Sequence, residues 1–87
     1  MSAKELAEKY IAAMEKTLEN LQRTQGSIHV SEARVDEVLE YVRAYLKDAE
    51  YFNDHKEFET SLTSIAYCEG LLDALKLIEA VEVPSAG

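Results

Sequence analysis

A chain of 87 residues has room for one domain with a modest core. With 47% hydrophobic residues it is too apolar to be a disordered segment, and three glycines and one proline are too few for the turns of a β-sandwich. A formal net charge of -8, with no run of Lys or Arg, argues against direct contact with nucleic acid or an anionic membrane surface.

The pattern in the N-terminal third predicts a helix over 3–24. Ser2 and Glu5 stand at capping-box spacing. Ala3, Ala7, Tyr10, Ile11, Met14, Leu18 and Leu21 fall on one face at about 100° per residue, with charged residues opposite. Glu5–Lys9 and Glu19–Arg23 are spaced as i,i+4 ion pairs. Gly26 suits the left-handed position that ends a helix.

Ile28 and Val30 alternate with polar residues over too short a span for a strand, so an extended linker is expected. Ser31 is the cap of a second helix over 32–53, with Val30 and Val35 spaced as a hydrophobic staple. Val35, Val38, Leu39, Val42, Tyr45, Leu46, Ala49 and Phe52 repeat at three and four and form a packing seam.

A tight polar connection follows, with Asp54 and Glu57 spaced to cap a third helix over 56–81. Its stripe is Phe58, Leu62, Ile65, Cys68, Leu72 and Leu75. The spacing is nearer 3.5 than 3.6, which implies a left-handed twist against its neighbours. Residues 82–87, around Pro84, are expected to form a tail. Two short connections between three long helices predict an all-α, three-helix up-down-up antiparallel bundle spanning 1–87 as a single domain.

Chemistry-bearing constellations are scarce. Cys68 has no partner for an internal disulfide and sits among apolar residues, where it reads as a small buried hydrophobe. With no apolar N-terminal region and no long apolar run, a cytoplasmic setting is expected. His29 and His55 both fall in connections and lack neighbours at metal-ligand spacing. Arg23 and His29 share an R-x5-H spacing similar to the ribonuclease motif of HEPN domains, but it straddles a helix end and a linker. No phosphate-binding glycine loop or nucleophile elbow is present. No cofactor or metal is expected.

The polar side of the third helix is the unusual feature. Gly70 sits inside it, where glycine costs about 1 kcal/mol relative to Ala. Tyr67, Asp73 and Ala74 surround it. Such a glycine suits the close approach of another backbone: the first helix, a partner protein or a second copy. Tyr41 and Tyr51, on the edge and outer side of the second helix, and Asp48 complete the candidate contact residues.

Residues 42–77, roughly two-fifths of the chain, resemble the archaeal family catalogued as domain of unknown function 357. Tyr45, Asp48, Ala49 and Phe52 match the family's A-x-x-Y-x-x-D-A-x-x-F pattern. Phe58 matches the aromatic after the turn, and Tyr67, Gly70, Asp73 and Ala74 match Y-x-x-G-x-x-D-A. Lys56-Glu57 stands where the family tends to have Gly-Asp, and Ser61 takes the place of a small residue. The resemblance implies an archaeal source, a three-helix fold and no assigned activity. The functional expectation is a non-catalytic protein-interaction module, binding a protein partner or itself, with monomer and homodimer both open. The alternative is a small enzyme or accessory subunit in RNA processing, distantly similar to HEPN bundles.

Overall fold

The computed structural model describes residues 1–84. The fold is all-α: α1 (Ala3–Asn20), α2 (Glu32–Asp54) and α3 (Phe58–Leu77), with no strand among the described residues. Both expected serine caps are in place. Ser2 Oγ accepts from the Glu5 amide at 3.1 Å and donates to Glu5 Oε1 at 3.2 Å. Ser31 Oγ accepts from the Arg34 amide at 3.2 Å. Each satisfies an amide that the helix itself leaves unpaired.

α2 and α3 pack as an antiparallel pair. Their contacts run in opposite directions along the two helices: Ser61 Oγ donates to the Ala49 carbonyl at 2.7 Å, the Tyr67 and Tyr45 rings lie 4.4 Å apart, and the Cys68 thiol donates to the Val42 carbonyl at 3.2 Å. Ser61, Cys68 and Leu75 are spaced seven apart, so they return to nearly the same face every two turns. Cys68 and Leu75 are buried and Ser61 is half-buried. Opposite them Ala49 is buried, and Val35, Val38, Leu39, Val42, Tyr45 and Phe52 are half-buried. Small residues at Ala49 and Ser61 let the backbones approach closely enough for a side chain of α3 to reach a carbonyl of α2.

This centring differs from the expected stripe. Phe58 and Leu62 lie on the exposed flank of α3, and Ser61 takes the facing position. A polar serine serves there because its hydroxyl finds a carbonyl to donate to.

The connection between α2 and α3 is also built differently from the expected carboxylate cap. Asp54 is the last residue of α2, and Glu57 makes no side-chain capping bond. The backbone closes the turn instead. The Lys56 amide donates to the Asn53 carbonyl at 3.0 Å and the Glu57 amide to the Phe52 carbonyl at 2.8 Å, with Lys56 in the left-handed region at φ 61. This pair of bonds is a Schellman motif with lysine where glycine is usual. α3 ends four residues before the expected Val81 by the same device. The Glu79 amide donates to the Lys76 carbonyl and the Ala80 amide to the Leu75 carbonyl, with Glu79 at φ 60. Of the expected tail over 82–87, residues 85–87 lie outside the described residues.

α1 makes no contact with α2 or α3, and none of its residues is buried. Among the described residues, helix–helix packing is confined to the hairpin of α2 and α3, and α1 stands apart from it. Without tertiary support α1 also ends early. Leu21 is already extended (φ -66, ψ 133), and the Asn20 side chain caps the Lys16 carbonyl at 2.9 Å. This shortening removes the expected Glu19–Arg23 pair, because Arg23 is no longer helical, while Glu5 is occupied by its cap. The ion pairs observed are Lys4–Glu8 and Arg34–Glu37, the latter at 2.9 Å. Gly26 does have a positive φ of 80, but it bends the connector six residues after the helix has ended.

Candidate functional site

The seven residues singled out in the sequence occupy the outer surfaces of the hairpin. Tyr41 lies one turn before Tyr45 on α2, towards the flank where Tyr67 of α3 meets Tyr45. The Tyr67 ring tilts against Tyr45 at an interplanar angle of 44°, yet Tyr67 remains 54% exposed. Contact of this kind is worth about 0.5–1.5 kcal/mol beyond simple burial. Ala74 follows Tyr67 by seven residues on the same flank, and Asp48 sits on the corresponding side of α2; both are exposed.

Gly70 and Asp73 face away from α2 on the back of α3. Among the described residues, and outside its own stretch of helix, no atom comes within 4 Å of a Cβ built at Gly70, so α1 does not approach it. Of the three bodies that could approach it, the first helix does not. Tyr51 lies on the back of α2. Its ring stacks on His55 with centroids 4.1 Å apart and meets Phe52 edge-on at 5.4 Å. His55 Nδ1 lies 2.8 Å from the Tyr51 carbonyl, a contact that places the ring proton on that nitrogen. The candidates thus fall into separate groups: a tyrosine-bearing flank shared by both helices, the back of α3, and a Tyr51–His55 stack near the turn.

The residue pairs weighed for chemistry are not brought together. Asp48 is level with the first turns of α3, whereas Asp73 is level with the start of α2, as the 49/61 and 42/68 contacts require. Arg23 lines a shallow depression formed by Gln22–Gly26, and His29 is not among its lining residues. Among the described residues, no three His, Cys, Asp or Glu side chains are placed to hold a metal ion. The Cys68 thiol is buried against α2, as expected of a small hydrophobe.

A groove not among the expected features lies at the open end of the hairpin. Ile28 and Val30 of the connector, Val35 and Leu39 of α2, and Ile78 and Val81 beyond α3 line a space of about 930 Å³. Glu32, Asp36 and Glu79 stand at its edge. The staple spacing of Val30 and Val35 was the available signal. The contribution of residues after α3 depended on where the chain turns at Glu79.

A family model described as "Protein of unknown function (DUF357)" matches residues 9–81. The chain belongs to this family. The match extends well beyond the motif-bearing hairpin, taking in most of α1 and the whole connector. Membership of the family therefore encompasses the standing helix as well as the packed pair. No curated protein and no solved structure is significantly similar to the chain.

Proposed function

We propose that this family member is a non-catalytic helical interaction module that binds a protein partner through the outer surface of α3 and the adjoining flank of α2. Gly70 carries the reading. It weakens the middle of a 20-residue helix, and among the described residues nothing occupies the space above it. A close-packed partner backbone gives the missing side chain a purpose. Tyr67 beside it, fixed by Tyr45 but half exposed, is the kind of rigid aromatic that anchors protein contacts. Asp73, Ala74, Tyr41 and Asp48 border the same surface, and Tyr51 extends it towards the turn.

A charge of -8 favours a partner with a basic contact surface and disfavours nucleic acid. No described helix is long and apolar enough to cross a membrane. Together with a single, buried free cysteine this fits a cytoplasmic protein, and the family pattern fits an archaeal one.

The test is affinity purification from the native cell with wild type, Gly70→Leu and Tyr67→Ala. Gly70→Leu meets open space in the isolated chain, so it folds normally by circular dichroism while losing the co-purifying protein tenfold or more. Equal recovery with all three well-folded baits would remove this surface from consideration.

A further inference from the structure

α1 and the hairpin each leave an apolar strip uncovered. On α1, Tyr10, Ile11, Met14 and Leu18 share one face and are all more than half exposed. On the hairpin, Leu39 and Leu46 of α2 run beside Leu62, Ile65 and Leu72 of α3. They lie on the flank opposite the Tyr45–Tyr67 contact, and Leu46 and Leu62 remain 43% and 66% exposed. The antiparallel register sets the two rows alongside each other, and the line between two such rows is the kind of channel into which a helix packs.

The area left open is large. The chain exposes 7915 Å², whereas a compact chain of 9.8 kDa exposes about 5,200 Å². The excess is more than three times the roughly 800 Å² that each partner contributes to a standard protein interface. Charge indicates what covers it. Residues 1–31 carry four acidic and four basic side chains, whereas residues 32–87 carry thirteen acidic and five basic ones. All of the net charge of -8 thus belongs to the hairpin segment. Two hairpins meeting face to face repel, but α1 brings no net charge to the channel.

The connector lets α1 reach beyond its own hairpin. Leu21 and Ser31, at its ends, are both extended (ψ 133 and 155), and Gly26 provides the one bend between them. Among the described residues, no backbone hydrogen bond from 22–30 folds the connector into a turn. Eleven extended residues reach up to about 36 Å. In this structure α1 is carried away from its own hairpin, and a connector of this reach can place it on a second copy.

We propose that two copies of this chain exchange α1, each laying its Tyr10–Leu18 stripe into the Leu39–Leu46–Leu62 channel of the other. The exchange is reciprocal about a two-fold axis and restores a three-helix bundle on each side. It rests on the reading of the chain as an interaction module and adds a self-contact on the flank away from Tyr67.

The experiment combines light scattering of the full chain with isotope-filtered NMR on an equal mixture of labelled and unlabelled chains, unfolded and refolded together. The expected mass is twice 9.8 kDa, with inter-chain NOEs from Ile11 and Leu18 methyls to Leu46 and Leu62 methyls. Ile11→Glu with Leu18→Glu is expected to halve the mass; the wild-type NOEs decide the matter if that variant unfolds. A single-chain mass at every accessible concentration overturns the exchange, as does a dimer whose α1 contacts are all within one chain. A monomer that still loses its partner on Gly70→Leu overturns the exchange alone and leaves the Tyr67–Gly70 surface standing.

Discussion

At the scale of single residues, the structure separates two positions whose backbone demands are easily confused. Lys56 occupies a left-handed conformation that costs an L-residue about 1–2 kcal/mol. Lys56→Gly relieves that strain at a small entropic cost in the unfolded chain. The expected gain is about 0.5–1 kcal/mol in urea-unfolding free energy. Gly70 presents the reverse case: it is helical, with open space where a side chain would sit. Gly70→Ala is expected to stabilise the isolated chain by about 1 kcal/mol and raise its midpoint in the same assay. If Gly70→Ala destabilises the isolated chain, a neighbour does crowd that position and the reading of a vacant surface fails. Lys56 was visible in the sequence only as a departure from a Gly-Asp turn. Its conformation depends on the 5→2 and 6→1 bonds that close α2, which no residue type specifies by itself.

At the scale of elements, the helices differ in what stabilises them. α2 and α3 are held by a narrow seam in which Ala49, Cys68 and Leu75 are the buried apolar residues. Leu75 is 4% exposed, so Leu75→Ala removes a large share of that seam. The expected loss is about 2–5 kcal/mol, read as a fall in the denaturation midpoint. A loss below about 1 kcal/mol would show that the hairpin does not depend on this seam. The α2 seam was legible in the sequence, because its three-and-four spacing admits one face only. The facing row on α3 was partly so: the stripe Phe58, Leu62, Ile65, Cys68, Leu72 and Leu75 contains the buried Cys68 and Leu75, but it takes in the exposed Phe58 and Leu62 and misses Ser61. Register against α2 selects between them, and register is a property of the pair. α1 has the clear amphipathic pattern of a packed helix yet packs on nothing in its own chain. Periodicity reports a capacity for burial and does not name the surface that receives it.

At the scale of the whole molecule, the chain is extended and its charge is uneven. Its radius of gyration of 16.2 Å exceeds the roughly 12 Å of a compact chain of this length. The excess is α1 and its connector standing off the hairpin. Thirteen acidic side chains on residues 32–87 repel one another across a small structure. Raising salt from near zero to about 0.15 M shortens the screening length to about 8 Å. Tm should therefore rise by several degrees in a thermal melt followed by circular dichroism. A Tm that falls with added salt would mean that attractive pairs such as Arg34–Glu37 outweigh the repulsion.

The sequence alone determined the all-α class, the number of helices, the serine caps at Ser2 and Ser31, the burial of Cys68 and the family. Each of these is encoded locally, by a periodicity, a capping residue or a motif, and needs no knowledge of what lies across the fold. Tertiary structure decided which face of α3 meets α2, that backbone bonds at Lys56 and Glu79 end the helices, that the candidate residues form separate groups, and that α1 finds no partner within its own chain. These depend on distances between segments far apart in sequence, where chain reach, backbone hydrogen bonding and close packing act together.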